Sequence, residues 1–200
     1  IIMITIKILS LKIIILIKVY LLNILFNLMA NFFNITTPTN SSVYHELYKK
    51  ALKIDHSYFY TEVNNDFSFS TQESKKLIDF VNEIGYVGQV CIKKSVLMWL
   101  HGYLLYIALD KYLSNNPEIK HINILETGTA RGFSALCMAK ALDDNKREGT
   151  IYTVDIIPND VKIYWNSCRD EFGKHTREEL FKDTPYTSLF KYITFLTGPS

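Results

Sequence analysis

The sequence predicts an α/β fold: a parallel β-sheet, incomplete at the C-terminus, preceded by a helical N-terminal region. Three observations carry this reading. Up to Pro117 the apolar residues recur at helical spacing, and after it they gather in short runs of buried-strand type. Two such runs flank one amphipathic helix, the strand-helix-strand pattern of a parallel crossover. Glycines stand at the turn between the first run and that helix, where a parallel α/β sheet meets a ligand.

Residues 1–35 form a hydrophobic segment made almost wholly of Ile, Leu, Asn, Lys and Phe. It reads in two ways: a membrane anchor through residues 8–33, or a spurious extension ahead of a start at Met29, because the chain begins with Ile. In a spanning helix over residues 8–26 the apolar side chains contribute roughly 6 kcal/mol, and Lys12 and Lys18 return roughly 5–7 kcal/mol near the bilayer centre. The balance is near zero, and snorkelling of the two lysines could rescue insertion. Residues 36–42 lack any large apolar residue and contain Pro38, which marks a linker.

A helical region follows over residues 43–118. Leu47, Ala51 and Ile54 predict a short helix over 43–54, and residues 56–65 read as irregular. Ser70-Thr71-Gln72-Glu73 has the form of a capping box, so a helix starts there. Leu77, Ile78, Val81 and Ile84 form its apolar face, and Gly85 is expected to end it. Val96, Leu97, Leu100, Leu104, Ile107 and Leu113 predict a longer helix over 92–113, closed by Asn115-Asn116-Pro117.

Residues 119–200 supply the sheet: strands over 121–125 and 150–154, a helix over 131–142 between them, and a third strand over 192–196. Further helices are expected over 160–172 and from a second capping box, Thr176-Arg177-Glu178-Glu179. Three strands leave an unpaired edge.

Composition narrows the function. With 22 basic against 20 acidic residues no strong field of either sign favours nucleic acid, so a small-molecule site fits better. Cys91, Cys137 and Cys168 are odd in number and widely spaced, which gives neither a disulfide framework nor a zinc site. A reducing, cytoplasmic location follows, or a membrane-anchored one if the N-terminal segment is real.

The chemistry concentrates in Glu126-Thr127-Gly128-Thr129-Ala130-Arg131-Gly132. Gly128 permits a tight turn after the strand, and Gly132 lets backbone approach helix or ligand closely. The turn is expected to leave N–H groups free to face a ligand. A pyrophosphate would ask for G-x-G-x-x-G, but position 130 is alanine and Glu126 would place negative charge beside it. A cationic ligand suits the acid better. Asp155 ends the second strand, twenty-three residues after Gly132, where a carboxylate can accept from both hydroxyls of a ribose. Alternatively both acids merely cap the turns that follow them. Arg131 reads as exposed, Cys137 as buried and unreactive, and Trp99, Tyr103 and Tyr106 as packing residues. His45, His56, His101, His121 and His175 lack clustered partners and read as core or interface residues, with no metal ligands among them.

Glu126-x-Gly128-x-x-x-Gly132 followed by a strand ending in Asp155 resembles motifs I and II of the class I S-adenosylmethionine-dependent methyltransferases, whose fold is Rossmann-like. Residues 126–135 look most like small-molecule O-methyltransferases of the macrocin O-methyltransferase-like group, and the resemblance spans about residues 121–198. It implies S-adenosylmethionine as cofactor. Glu126, Thr127, Gly128, Thr129 and Gly132 would line its methionine part, and Asp155 with Ile156 would hold its ribose. It also implies a small-molecule acceptor methylated on oxygen. The chain departs from the pattern at Pro199, where the family commonly has a polar residue of the adenine site. The family usually carries substrate, metal or catalytic groups beyond the third strand, so no catalytic residue is assigned and the chain reads as an N-terminal fragment. Two other functions compete: a nicotinamide-dependent oxidoreductase, and a truncated, non-catalytic product.

Overall fold

The computed structural model describes residues 41–92 and 96–198, all within one compact unit, Pro38–Ser200. The hydrophobic segment 1–35, with the membrane reading of residues 8–33, lies outside the described residues. Among the described residues no helix is long and apolar enough to cross a membrane.

Four helices come first: α1 (Ser41–Leu52), α2 (Ser57–Phe67), α3 (Thr71–Gly88) and α4 (Leu100–Asn115). Helix α3 begins at the predicted capping box, with Ser70 and Glu73 each bonding the other's backbone N–H. It does not stop at Gly85 but continues to Gly88. Gly85 sits in the helix because a Cβ there would stand 3.0 Å from the ring of Trp99. Helix α2 corrects the irregular reading of 56–65. Its Val63 is buried, and Asn64 joins Ser74 and Tyr103 in a closed triangle of hydrogen bonds of 2.6–3.0 Å that ties α2 to α3 and α4. Helix α4 is shorter than the expected 92–113. Within 96–99 the chain is non-helical, while Leu97 and Trp99 are nonetheless buried.

The second half has the predicted strand-helix-strand order: β1 (His121–Thr127), α5 (Phe133–Asp144), β2 (Glu148–Asp155) and β3 (Ile193–Thr197). All strands are parallel in the order β1-β2-β3, with Glu126 opposite Thr153 and Thr153 opposite Phe195. Helix α5 is apolar nearly all round because it lies between the sheet and α4. Its Ala135, Leu136, Cys137, Ala139, Ala141 and Leu142 are fully buried against partners such as Ile151. Gly102 allows α4 to approach this closely, since a Cβ there would lie 2.6 Å from the Phe133 ring and 2.7 Å from the Cys137 sulfur. The other sheet face is open, with Leu125 71% exposed and Tyr152 and Leu196 also at the surface.

Two predicted helices are absent. Residues 160–172 are irregular apart from a 3-10 turn, Asp170–Phe172, and the second capping box heads only another, Glu178–Phe181. Its reciprocal bonds do form, from Glu179 N to Thr176 Oγ1 at 3.3 Å and from Thr176 N to Glu179 Oε2 at 2.9 Å. Residues 158–182 instead make a strap, within which an antiparallel bridge joins Ile163 to His175. Trp165 donates its indole N–H to the carbonyl of His175 at 2.7 Å, and Asp170 accepts from the backbone N–H of Trp165 at 3.0 Å. Burial raises the Asp170 carboxyl above its ordinary value, partly offset by its backbone bonds.

Candidate functional site

The C-terminal ends of β1 and β2 place Glu126 and Asp155 side by side with the turn between β1 and α5. That turn is held in left-handed conformations at Gly128 (φ 82°), Ala130 (φ 47°) and Gly132 (φ 91°). Gly132 is the residue that enters α5, a conformation that costs an L side chain but not glycine. The expected free N–H groups are not found at four positions. Gly128 and Thr129 donate to the carbonyl of Val154, Ala130 to Asp155 Oδ2 at 2.7 Å, and Gly132 to the carbonyl of Thr129. The turn closes on itself because β2 ends beside it with a carbonyl and a carboxylate to offer.

Glu126 faces the helix-covered side of the sheet, where it accepts from Ser134 and, at 2.6 Å, from Thr153. The Thr153 hydroxyl lies 2.6 Å from that of Thr129. The predicted site residues therefore divide. The Thr129 side chain is 2% exposed and spends its hydroxyl on this network, Thr127 points to the open face, and Ile156 is half-buried beyond Asp155. Asp155 accepts from Ala130 N and, at 2.8 Å, from Ile157 N, so it does cap the turns. Each of its oxygens keeps a second lone pair for a ligand hydroxyl.

Sequence reasoning missed what covers these residues. The strap lays Arg177 across the turn, 1% exposed. Its Nε donates to the carbonyl of Ala130 at 2.8 Å and a terminal nitrogen donates to that of Ile157 at 3.1 Å. The same terminal nitrogen stands 3.9 Å from Asp155 Oδ2. The guanidinium carbon lies 5.1 Å from the Trp165 ring centre and 5.4 Å from that of Phe195. Burial pulls its pKa below the ordinary value, opposed by the charges of Asp155 and Glu126. Thr153 could have been found as an inward-facing hydroxyl in an otherwise apolar period of β2. Arg177 carried no signal, since an arginine in a capping box ordinarily faces water.

Arg131 corrects the exposed reading. It is buried and donates to the carbonyls of Val90 (2.8 Å), Trp165 (2.7 and 3.1 Å) and Asn166 (2.5 Å). Cys137 is buried as expected, which pushes its thiol well up. Of the histidines, His175 is buried and bonds the carbonyl of Arg169, whereas His101 is exposed, its ring edge-on to Phe133. Among the described residues no cluster of His, Cys, Asp and Glu could hold a metal ion. A cavity of about 490 Å³ beside Tyr48, Glu83 and Tyr86 belongs to the helical region and does not touch Glu126 or Asp155.

Residues 125–200 match the family described as a methyltransferase domain. The match starts in β1 and takes in the turn, α5, β2, the strap and β3. No curated protein and no solved structure matches the chain. The residues at the strand ends suit the cofactor such a domain implies, because the place beside Asp155 and Glu126 already holds a cation between two aromatic rings. A sulfonium asks for the same surroundings.

Proposed function

We propose that this protein is an S-adenosylmethionine-dependent methyltransferase acting on an oxygen of a small molecule. The observation that carries the reading is the pair of carboxylates flanking the glycine turn, within a stretch that matches methyltransferase domains. When bound, S-adenosylmethionine supplies a methyl group made electrophilic by its sulfonium. The chain's own part is to bind and orient. Gly128 and Gly132 present no side chain of their own at the two ends of the turn, Thr127, Thr129 and Ile156 flank it, and Glu126 supplies negative charge at its base. Asp155 is the acceptor for ribose hydroxyls.

The nicotinamide reading is weaker on physical grounds. A pyrophosphate needs unpaired N–H groups, and those of Gly128, Thr129, Ala130 and Gly132 are already bonded. Calorimetric titration of S-adenosylhomocysteine and, separately, of NAD into the protein tests the proposal. Saturable binding of S-adenosylhomocysteine alone is expected, and saturable binding of NAD alone would overturn it.

A further inference from the structure

We infer that Trp165 and Phe195 form a cation-binding cage for the ligand's sulfonium, and that Arg177 is the internal cation that fills this cage until the ligand displaces it. The inference rests on the methyltransferase reading and deepens it by naming residues that neither the motif nor the match points to.

The geometry is specific. Arg177 touches both halves of the predicted site at once, through Ala130 on the glycine turn and through Ile157 after Asp155. A Cβ at Gly132 would lie 3.9 Å from the Arg177 side chain and 4.0 Å from the Phe195 ring, so these two groups stand where a ligand passing over the turn must run. A guanidinium and a sulfonium are both weakly hydrated cations, and both are attracted to the face of an aromatic ring. Asp155 and Glu126 add a favourable field for either. Arg177 is almost fully covered, so a ligand cation that is to lie against the same two rings must take its place. Ligand entry therefore requires Arg177 to leave and the strap that carries it to loosen near residue 177. The Arg177 side chain makes no bidentate pair with a carboxylate, and its nearest carboxylate oxygen is at 3.9 Å, so its departure leaves the carbonyls of Ala130 and Ile157 to be satisfied by the ammonium and hydroxyl donors of the ligand.

The test uses S-adenosylmethionine and its neutral thioether counterpart, S-adenosylhomocysteine, with wild-type protein, Arg177→Gln and Arg177→Lys. Removing the internal cation should tighten S-adenosylmethionine binding by about tenfold, the factor expected if the open form is populated at roughly one part in ten. The thioether should gain by the same factor, because the open form limits both ligands alike, while the cage makes the sulfonium the tighter ligand of Arg177→Gln; Arg177→Lys should fall between wild type and Arg177→Gln. In wild-type protein, hydrogen exchange of residues 163–182 should accelerate when S-adenosylmethionine binds, the reverse of ordinary ligand protection. A folded Arg177→Gln that binds S-adenosylmethionine no more tightly than wild type overturns the inference and leaves the methyltransferase reading standing. If Arg177→Gln does not fold, the wild-type exchange decides: acceleration supports the cage, and unchanged or slower exchange overturns it. Failure of the wild type and of a folded Arg177→Gln to bind either ligand removes the methyltransferase reading, and the inference with it.

Discussion

Arg131 and Arg177 are both buried arginines, and both tie the strap of residues 158–182 to the rest of the domain, but they do it in different ways. Arg131 uses Nε and both terminal nitrogens on backbone carbonyls from two separate segments, Val90 ahead of α4 and Trp165-Asn166 in the strap. Arg177 has carbonyl partners at Ala130 and Ile157, a long contact with Asn159 at 3.4 Å, and two aromatic faces. Both bond main-chain carbonyls, but those of Arg131 lie off the glycine turn and the strand ends, which makes it an anchor. The second is seated among the residues of the candidate site, where a ligand could offer equivalent contacts. A buried charge can hold a fold together or hold a site in waiting, and the identity of its partners tells which.

The sharpest way to break this comparison is to remove the anchor. Arg131→Met keeps the length of the side chain and leaves the carbonyls of Val90, Trp165 and Asn166 without their donor. Each buried acceptor left unpaired costs about 1–3 kcal/mol, so a loss of about 3 kcal/mol or more is expected in urea unfolding. A loss below about 1 kcal/mol would show that the strap does not depend on Arg131.

A smaller effect should separate the two arginines at the one residue they share. Trp165 gives its carbonyl to Arg131 and its ring to Arg177, so Trp165→Leu removes the ring and spares the anchor. Truncating a buried aromatic side chain, leaving the carbonyl of His175 without the indole N–H and losing one face of a cation–π contact should together cost about 2–3 kcal/mol, less than Arg131→Met, which unpairs three carbonyls. The order of the two losses is what matters. If Trp165→Leu costs more, the strap is held by its indole packing and the arginine carbonyl bonds are secondary.

The sheet, α3 and α5 were legible in the sequence because their order is local. Short runs of buried-strand type, a capping box and apolar residues at helical spacing say where strands and helices lie without knowledge of the rest of the chain. Glu126 and Asp155 were legible as strand-end acids on the same ground. The strap was not, since its order comes from bonds spanning 34 and 35 residues from Arg131 and 47 residues from Arg177 to Ala130. The sequence reading places a helix over 160–172, but Trp165, Ser167 and Asp170 spend their polar groups on closing irregular turns. Helix α2 escaped notice for a related reason. Asn64, Asn65 and the aromatic residues before them are weak helix formers, and the helix holds through Val63 and the Asn64-Ser74-Tyr103 triangle.

The smallest effect is expected on the far side of β1, at Leu125. Leu125 adjoins Glu126 in the chain but points to the opposite face, as the two-residue period of a strand requires. It is 71% exposed, so Leu125→Thr removes little buried apolar surface and inserts a residue that strands favour. Its cost should be within about 0.5 kcal/mol by urea unfolding. The comparison with Arg131 and Trp165 then places the stability of this domain on the strap side of the sheet. A loss above about 1 kcal/mol would give a different result: Leu125 is covered in solution by something beyond the described residues. Parallel sheets are ordinarily buried on both faces, and Leu125, Tyr152 and Leu196 form the apolar face such a cover would meet. Repeating the measurement over a tenfold range of protein concentration separates the two kinds of cover. A loss that depends on concentration belongs to a second copy of the chain, and one that does not belongs to the chain itself.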